Sequence, residues 1–504
     1  MKRIGVIDIG SNSVRVMLAE IEDSGYFRII DELKEPVRIS QDLLEADEIS
    51  EDTFNIILST LRSFKSLCTG SGASKIFTVA TDALRTCKNG KSIITKISEM
   101  LDINIEILSN EDEIYYNYLS VKNTTYTENS LLVEVSGVNT YFAWIKGGNM
   151  IKSTTIPLGS LNLSYNFNLN DRIIHEDYEN ALEEVTNTLS SIEWLKTENF
   201  DNIIGIGTAF RTLGKIDQRR KRYPLFLTHN YTFNDFDLSE IHNGLKSKDF
   251  KQRLRVEGIS PDVGDIIVGA TLIIKVLCKN LNITDLEICG RGIREGIIFD
   301  YITRNYAPID DILDYSIQGI METLHVNIEH AKHVYDITKR LFEQMEPLHH
   351  LNSSYNKIVK TASLLHDCGI SIKYYNHHKH SFYVILNSYM NGLTHKELLM
   401  SALTAAYHRN NSYTIPLPQF CSILNKLDAT SVEKIGILLR IAEGLDRSLE
   451  GAVKDVNVDI ANKEIKLTVF SSIPLELEIR QALRSKDKFY EIYHKTLTIE
   501  NIIK

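Results

Sequence analysis

Two groups of residues in this chain carry side chains suited to phosphate chemistry. In the first, Asp8 stands two residues before a turn made of Gly10, Ser11, Asn12 and Ser13. Glycine lets a backbone approach a ligand closely, while amide N–H groups and short hydroxyl or amide side chains donate to phosphate oxygens. A strand-end carboxylate can hold Mg2+ through oxygen or water contacts. A turn of this composition also closes ordinary hairpins, so taken alone it leaves both readings open. In the second group, EHAKHV, LLHDCG, HHKHSFYVI, AAYHRN and RIAEGLD set imidazoles and carboxylates on successive predicted helices. Neutral imidazole and carboxylate bind first-row divalent metals, and a metal-bound water becomes a nucleophile toward phosphate esters and anhydrides. His377, His380 and His408 are candidates for a second metal or for substrate phosphate, whereas His325, His333, His349 and His395 are expected to be packed or polar helix residues.

The elements that must position these groups change character along the chain. KRIGVIDIGSNSVRVMLAEIE reads as an apolar strand, a Gly/Ser/Asn turn and a second strand, with Val14, Val16 and Leu18 alternating against polar or small neighbours. A helix is expected from about Thr53 to Thr69, a strand at KIFTVAT and a helix after Asn89. SLLVEVSGVNTYFAWI begins the cycle again, followed by a helix from Tyr178 to Leu195 and the strand NIIGIG. Short strands alternating with helices indicate an α/β architecture, and the two like openings indicate a duplicated fold. His175, His229 and His242 are the only histidines before residue 300, out of 15 in the chain. From Tyr315 to Ser448 the pattern is helical, and beyond Gly451 the segments VNVDI and EIKLTVF alternate like strands of a small α+β cap.

Composition narrows the classes. The chain has 504 residues, 43% hydrophobic and 24% charged, which is globular rather than disordered and too long for one ordinary core. A net charge of −10 argues against a nucleic-acid binder, whose affinity rests on neutralising phosphates, but a local positive site for an anion remains compatible with it. The basic run Arg219 to Arg222 is read as a solvated loop or a patch guiding a polyanion. Six scattered cysteines without a CxxC pair suit reduced thiols in a cytosolic protein. Asp8 and Gly10 break the first apolar run, unlike a signal peptide, and Ile266 to Cys278 is too short to span a membrane. A cytoplasmic protein with no membrane partner is therefore expected.

Several segments occur in a fixed order: IDIGSNSVR, VATDALRTCKN, ILSNEDEIYYNYLSV, PLGS and GRGIREG. Together they resemble the exopolyphosphatase/guanosine pentaphosphatase (Ppx/GppA) family over roughly the first 300 residues. The resemblance implies a duplicated actin-like (ribonuclease H-like) ATPase fold, with lobes at residues 1–124 and 125–305 and substrate between them. It implies that Glu113 activates the attacking water, that Arg85 neutralises charge on phosphoryl oxygens, that Asp8 helps hold Mg2+, and that Gly10 to Ser13 contact phosphate. Without the resemblance, Glu111, Asp112 and Glu113 read as an acidic helix N-terminus. Two loops depart from the family pattern. Glu134-Val135-Ser136-Gly137-Val138-Asn139 replaces a DIGGGS-type loop, leaving Glu134 for the metal and Ser136, Gly137 and Asn139 for phosphate. If the former glycine positions need positive φ or close backbone approach, Val138 is costly. Gly205 to Ala209 replaces a GxGGT-like turn in which Gly207 survives.

The adjacent pair His366-Asp367 resembles the signature of the HD phosphohydrolase superfamily, in which an earlier His and a later Asp complete a metal site. His330 and Asp446 fit those positions. The resemblance thus implies an all-α HD-type domain at 306–450, with a divalent transition metal as its cofactor, and a cap at 451–504. HHKHSFYVI with AYHRN also resembles the HD-like C-terminal domains of the longer exopolyphosphatases, which implies dimerisation and polyphosphate threading as the alternative to catalysis by this domain. The resulting expectation is release of terminal phosphate from inorganic polyphosphate or guanosine pentaphosphate by a Mg2+-dependent homodimer. The alternatives are HD-domain chemistry, or a regulator that binds polyphosphate or guanosine penta/tetraphosphate without turnover.

Overall fold

The computed structural model describes residues 1–409 and 415–503, so Asn410 of the AAYHRN segment lies outside the described residues. The chain divides into two compact units, Met1–Ile312 and Leu313–Lys504.

The first unit holds two sheets of matching design. Strands β1 (Lys2–Ile9), β2 (Ser13–Ile21), β3 (Phe27–Pro36), β4 (Lys75–Ala80) and β5 (Ile105–Ile107) run in the order β3-β2-β1-β4-β5. Strands β6 (Asn129–Val135), β7 (Thr140–Lys146), β8 (Asn149–Ile156), β9 (Asn202–Ile206), β10 (Tyr231–Asn234) and β11 (Asp285–Ile288) run in the order β10-β11-β9-β6-β7-β8. Each sheet joins an antiparallel three-strand meander to parallel strands on its other side. The second adds β10 as an antiparallel edge.

The alternation at Val14, Val16 and Leu18 does not mark a solvent face, because Met17 and Ala19 are equally buried. Helices cover both sides of the sheet, so its central strands are apolar on both faces. In the helix Glu51–Gly70, Phe54, Ile57, Leu58, Leu61 and Phe64 recur at three- and four-residue steps and pack against Ile7, Ile9, Val14 and Val16. Ser50 caps that helix by accepting a hydrogen bond from the Thr53 amide at 3.2 Å. The apolar run near Ile266 becomes the helix Ile267–Leu281, buried on nearly every side within the second lobe's core. Among the described residues no helix is long and apolar enough to cross a membrane.

The second unit is built on the helices Ile328–Gln344, Asn356–Leu365, His377–Asn387, His395–Tyr407 and Lys426–Leu445. It ends in a three-stranded sheet of β12 (Val453–Ile460), β13 (Glu464–Ser471) and β14 (Thr496–Ile503), in the order β12-β13-β14. This sheet is fastened to the first of those helices: the Gln344 side chain donates to Val456 O at 2.7 Å and accepts from Val458 N at 2.9 Å.

Candidate active site

The two lobes of the first unit bring like turns together. After β1, Gly10 N donates to Ser13 O at 3.1 Å; after β6, Ser136 N donates to Asn139 O at 2.9 Å. Asp8 and Glu134 occupy equivalent places two residues before these turns. A Cβ on Gly137 would lie 3.3 Å from Ser11 Oγ, so the turns face each other at close range. Neither Gly137 nor Val138 has positive φ, and the loss of glycine at 138 therefore does not strain the backbone. Close approach is needed instead at Gly159 of the PLGS segment, whose Cβ would sit 2.5 Å from Gly137 carbonyl atoms. Gly207 has φ of 89°, and a Cβ there would press to 2.9 Å from Glu134 Oε1.

Asp82, which sequence reasoning left unmarked inside VATDALRT, ties the turns together. It is 2% exposed and accepts hydrogen bonds from Ser11 Oγ at 3.3 Å and from Ser136 Oγ. The helix Asn110–Lys122 adds Glu113 and, one turn on, Asn117, which donates to the Glu134 carboxylate. Its cap separates the neighbouring acids. The Ser109 hydroxyl accepts from Asp112 N at 3.1 Å while Asp112 returns a bond to Ser109 N at 3.0 Å, so exposed Asp112 serves the helix end. Glu113 turns inward, is 2% exposed, and pairs with Arg85 Nη1 at 2.6 Å. The same guanidinium donates to Leu108 O, to Asn110 Oδ1 at 2.5 Å and to Tyr141 OH of the second lobe at 3.2 Å.

Burial dominates the electrostatics here. It raises the Glu113 carboxyl well above its ordinary value, with the Asp82 charge adding to it and Arg85 opposing. Burial and then Asp82 push Glu134 up to about 7, and burial raises Asp8 against the pull of Arg294 and Arg15. Asp8 Oδ1 is buried without a hydrogen-bond partner. Buried carboxylates whose pKa values are raised by burial and by the neighbouring Asp82 charge fit a hard divalent cation such as Mg2+, whose charge would restore their ionised forms. Arg15, Arg211 and Arg294 also face this region and were not marked from sequence. Within the run Arg219 to Arg222, Arg220 pairs with Asp237 at 2.7 Å and Lys221 with Asp217 at 2.8 Å.

In the second unit, His330, His366, His377 and His408 converge on Asp367. Their Nε2 atoms lie 3.8, 3.7, 3.0 and 3.6 Å from its oxygens, the first two beside Oδ2 and the last two beside Oδ1. Two groups suited to holding a metal result, His330–His366–Asp367 and Asp367–His377–His408, sharing one carboxylate. Each Nδ1 is fixed from outside: His366 on Ser363 O at 2.7 Å, His377 on Tyr374 O at 2.8 Å, His408 on Ala405 O, and His330 on Asp446 Oδ2 at 2.7 Å. Such bonds orient each ring so that Nε2 points inward. Although burial opposes it, the imidazoles hold the Asp367 carboxyl well below the usual carboxylate range.

Asp446 stands one step back. Its Oδ2 meets His330 and its Oδ1 accepts from Gly451 N at 3.0 Å, so it orients a ring rather than joining either ligand group. Against burial, the His330 and His333 bonds bring its carboxyl to about 2. His380 belongs to neither group. His333, expected to be unremarkable, lies 2.8 Å from Asp446 Oδ1 and bonds Val453 O at 2.7 Å. His349 is packed, stacking on Phe342.

Known proteins match this architecture over most of the chain. The Ppx/GppA phosphatase family model covers residues 17–305, and the model for domain III of Ppx/GppA phosphatases covers 312–487. The chain belongs to the Ppx/GppA phosphatase family. The Aquifex aeolicus member of that family is 23% identical, with a TM-score of 0.54 over 61% of this chain and 99% of its own. An exopolyphosphatase from Cytophaga hutchinsonii is 18% identical, with a TM-score of 0.56 over 60% of this chain and 98% of its own. These likenesses establish the two-lobed actin-like fold of the front part.

Proposed function

We propose that the cleft of the first unit hydrolyses a terminal phosphoanhydride bond of inorganic polyphosphate, or of guanosine pentaphosphate. The observation that carries this reading is Glu113, inward-facing and paired with Arg85 at 2.6 Å beside two facing phosphate turns. A terminal phosphoryl group seated on Gly10–Ser13 and Ser136–Asn139 draws Arg85 toward its oxygens. Glu113, released from that pair, accepts a proton from water as the water oxygen bonds to phosphorus. The bridging P–O bond breaks, orthophosphate forms, and the shortened chain leaves with the bond's electron pair. Asp8 and Glu134 would hold Mg2+, which neutralises charge on the phosphate oxygens when bound. Asp82 joins both turns and keeps the lobes in register for this step.

Phosphate release from long-chain polyphosphate with Mg2+ tests the reading. Glu113→Gln is expected to lower kcat by about 10²–10⁴-fold, the usual worth of a general base. No release by the unaltered protein, or release indifferent to this substitution, would overturn it.

A second reading places metal-dependent phosphohydrolase chemistry of the HD type in Leu313–Lys504, and the sharing of Asp367 between two ligand groups favours it. His330, His366, His377 and His408 would hold first-row divalent ions through Nε2. Elemental analysis of purified protein should find Mn, Fe, Co, Ni or Zn and lose it in Asp367→Ala. Phosphohydrolase activity that persists in full without such a metal sinks this reading.

A further inference from the structure

Beside the imidazole and carboxylate cluster of the second unit, two guanidiniums meet one phenol. Tyr374 stands three residues before the helix His377–Asn387, Arg409 two residues past the helix His395–Tyr407, and Arg447 two residues past the helix Lys426–Leu445. Three helix ends thus supply the three groups. Arg409 Nη2 donates to Tyr374 OH at 2.8 Å, and Arg447 Nη2 donates to the same oxygen at 3.5 Å. Each arginine directly follows a residue that builds the cluster, Arg409 after His408 and Arg447 after Asp446. Ring contacts lead from the interior to this point: His377 stacks on His408 with centroids 5.2 Å apart, Tyr374 lies 5.8 Å from His377, and the Arg409 guanidinium carbon lies 5.1 Å from the Tyr374 ring. The series begins at buried His408 and ends at Tyr374, which is 48% exposed.

The charges at this point are unbalanced. Glu443 pairs with Arg447 Nη1 at 2.9 Å, which leaves Nη2 to the phenol. Arg409 forms no ion pair among the described residues. Two cations therefore share one phenol oxygen as acceptor, while each guanidinium carries five N–H donors. Phosphate oxygens accept from such forks in pairs and more strongly than an uncharged oxygen does. Tyr374 also serves the cluster, because His377 Nδ1 lies 2.8 Å from its carbonyl oxygen. The same residue thus orients a ring inside and occupies the two arginines outside.

We propose that Arg409 and Arg447 form a phosphate clamp at the mouth of the Asp367 cluster, where Tyr374 OH holds the place of an oxygen of a small phosphorylated ligand. What happens to that ligand at Asp367 rests on the metal-dependent reading of the second unit. The clamp itself is made of groups that hold no metal. Binding exchanges the phenol for phosphate oxygens, so Tyr374 competes with the ligand.

Phenylglyoxal modifies arginine, and mass spectrometry of the digested full-length protein reads Arg409 and Arg447 separately from the arginines of the first unit. Inorganic pyrophosphate is expected to slow the labelling of both residues, and sodium chloride at equal ionic strength is expected to slow it far less, because screening alone does not cover a guanidinium. In Arg447→Gln, protection of Arg409 should take about tenfold more pyrophosphate, the worth of one charged hydrogen bond. Tyr374→Phe frees the arginines and should lower the pyrophosphate needed by about threefold, a gain that a merely structural contact would not give. It removes one oxygen from a half-exposed ring, so folding is not at stake. Labelling that pyrophosphate slows no more than chloride does, or a Tyr374→Phe protein that needs as much pyrophosphate or more, overturns the clamp. Protection in a protein that takes up none of Mn, Fe, Co, Ni or Zn retains the clamp and rejects the metal-dependent reading, whereas bound metal without protection rejects the clamp alone.

Discussion

Asp112 and Glu113 are neighbouring carboxylates on the first turn of one helix, and the fold sets them to different tasks. Asp112 bonds the helix end, while Glu113 lies buried against Arg85. Burial first, and then the charge of Asp82, raise the Glu113 carboxyl above its ordinary 4.5. A general base works deprotonated, so turnover should rise with pH through a limb lying above that value and be lost as pH falls below it. Asp82→Asn removes the like charge and is expected to move this limb to lower pH. A pH–rate profile whose limb stays in place or moves upward would count against Glu113 as the base. Asp82 itself carried no signal in sequence, because one Asp after a strand is common and its two serine partners lie far along the chain, Ser136 by 54 residues.

The helix Asn110–Lys122 delivers both Glu113 and Asn117, and its position depends on the Ser109–Asp112 capping box. Ser109→Ala should cost about 1 kcal/mol of stability, the usual worth of such a cap, and be seen as a lower midpoint in urea unfolding. A midpoint equal to that of the unaltered protein would mean the box does not hold this helix. Strand–turn–strand openings were legible in the sequence because apolar runs punctuated by Gly, Ser and Asn are a local signal. The effect of Val138 was not legible. Whether a former glycine position needs positive φ depends on the turn adopted, and here the tight approach passes to Gly159.

Across the first unit, His242 links three helices: Tyr178 OH lies 2.9 Å from its Nε2 and Thr271 Oγ1 lies 2.8 Å from its Nδ1. Burial lowers its pKa from 6.5 to about 3. Below pH 6.5 the unfolded chain binds a proton there that the folded protein does not, so stability falls as pH drops from 6.5 toward 3. His242→Asn should flatten that part of a stability-versus-pH curve, and a slope unchanged between pH 6 and 4 would contradict the assignment. Helix faces and the two like strand–turn–strand openings follow from the sequence alone, since each is a pattern local to a few neighbouring residues. Only the tertiary structure decided that Asp367 lies between two pairs of imidazoles, that Asp446 orients His330, that His380 stands apart, and that Arg211 faces Arg15. Those meetings join atoms from distant segments, and only the packing of whole elements brings them within reach.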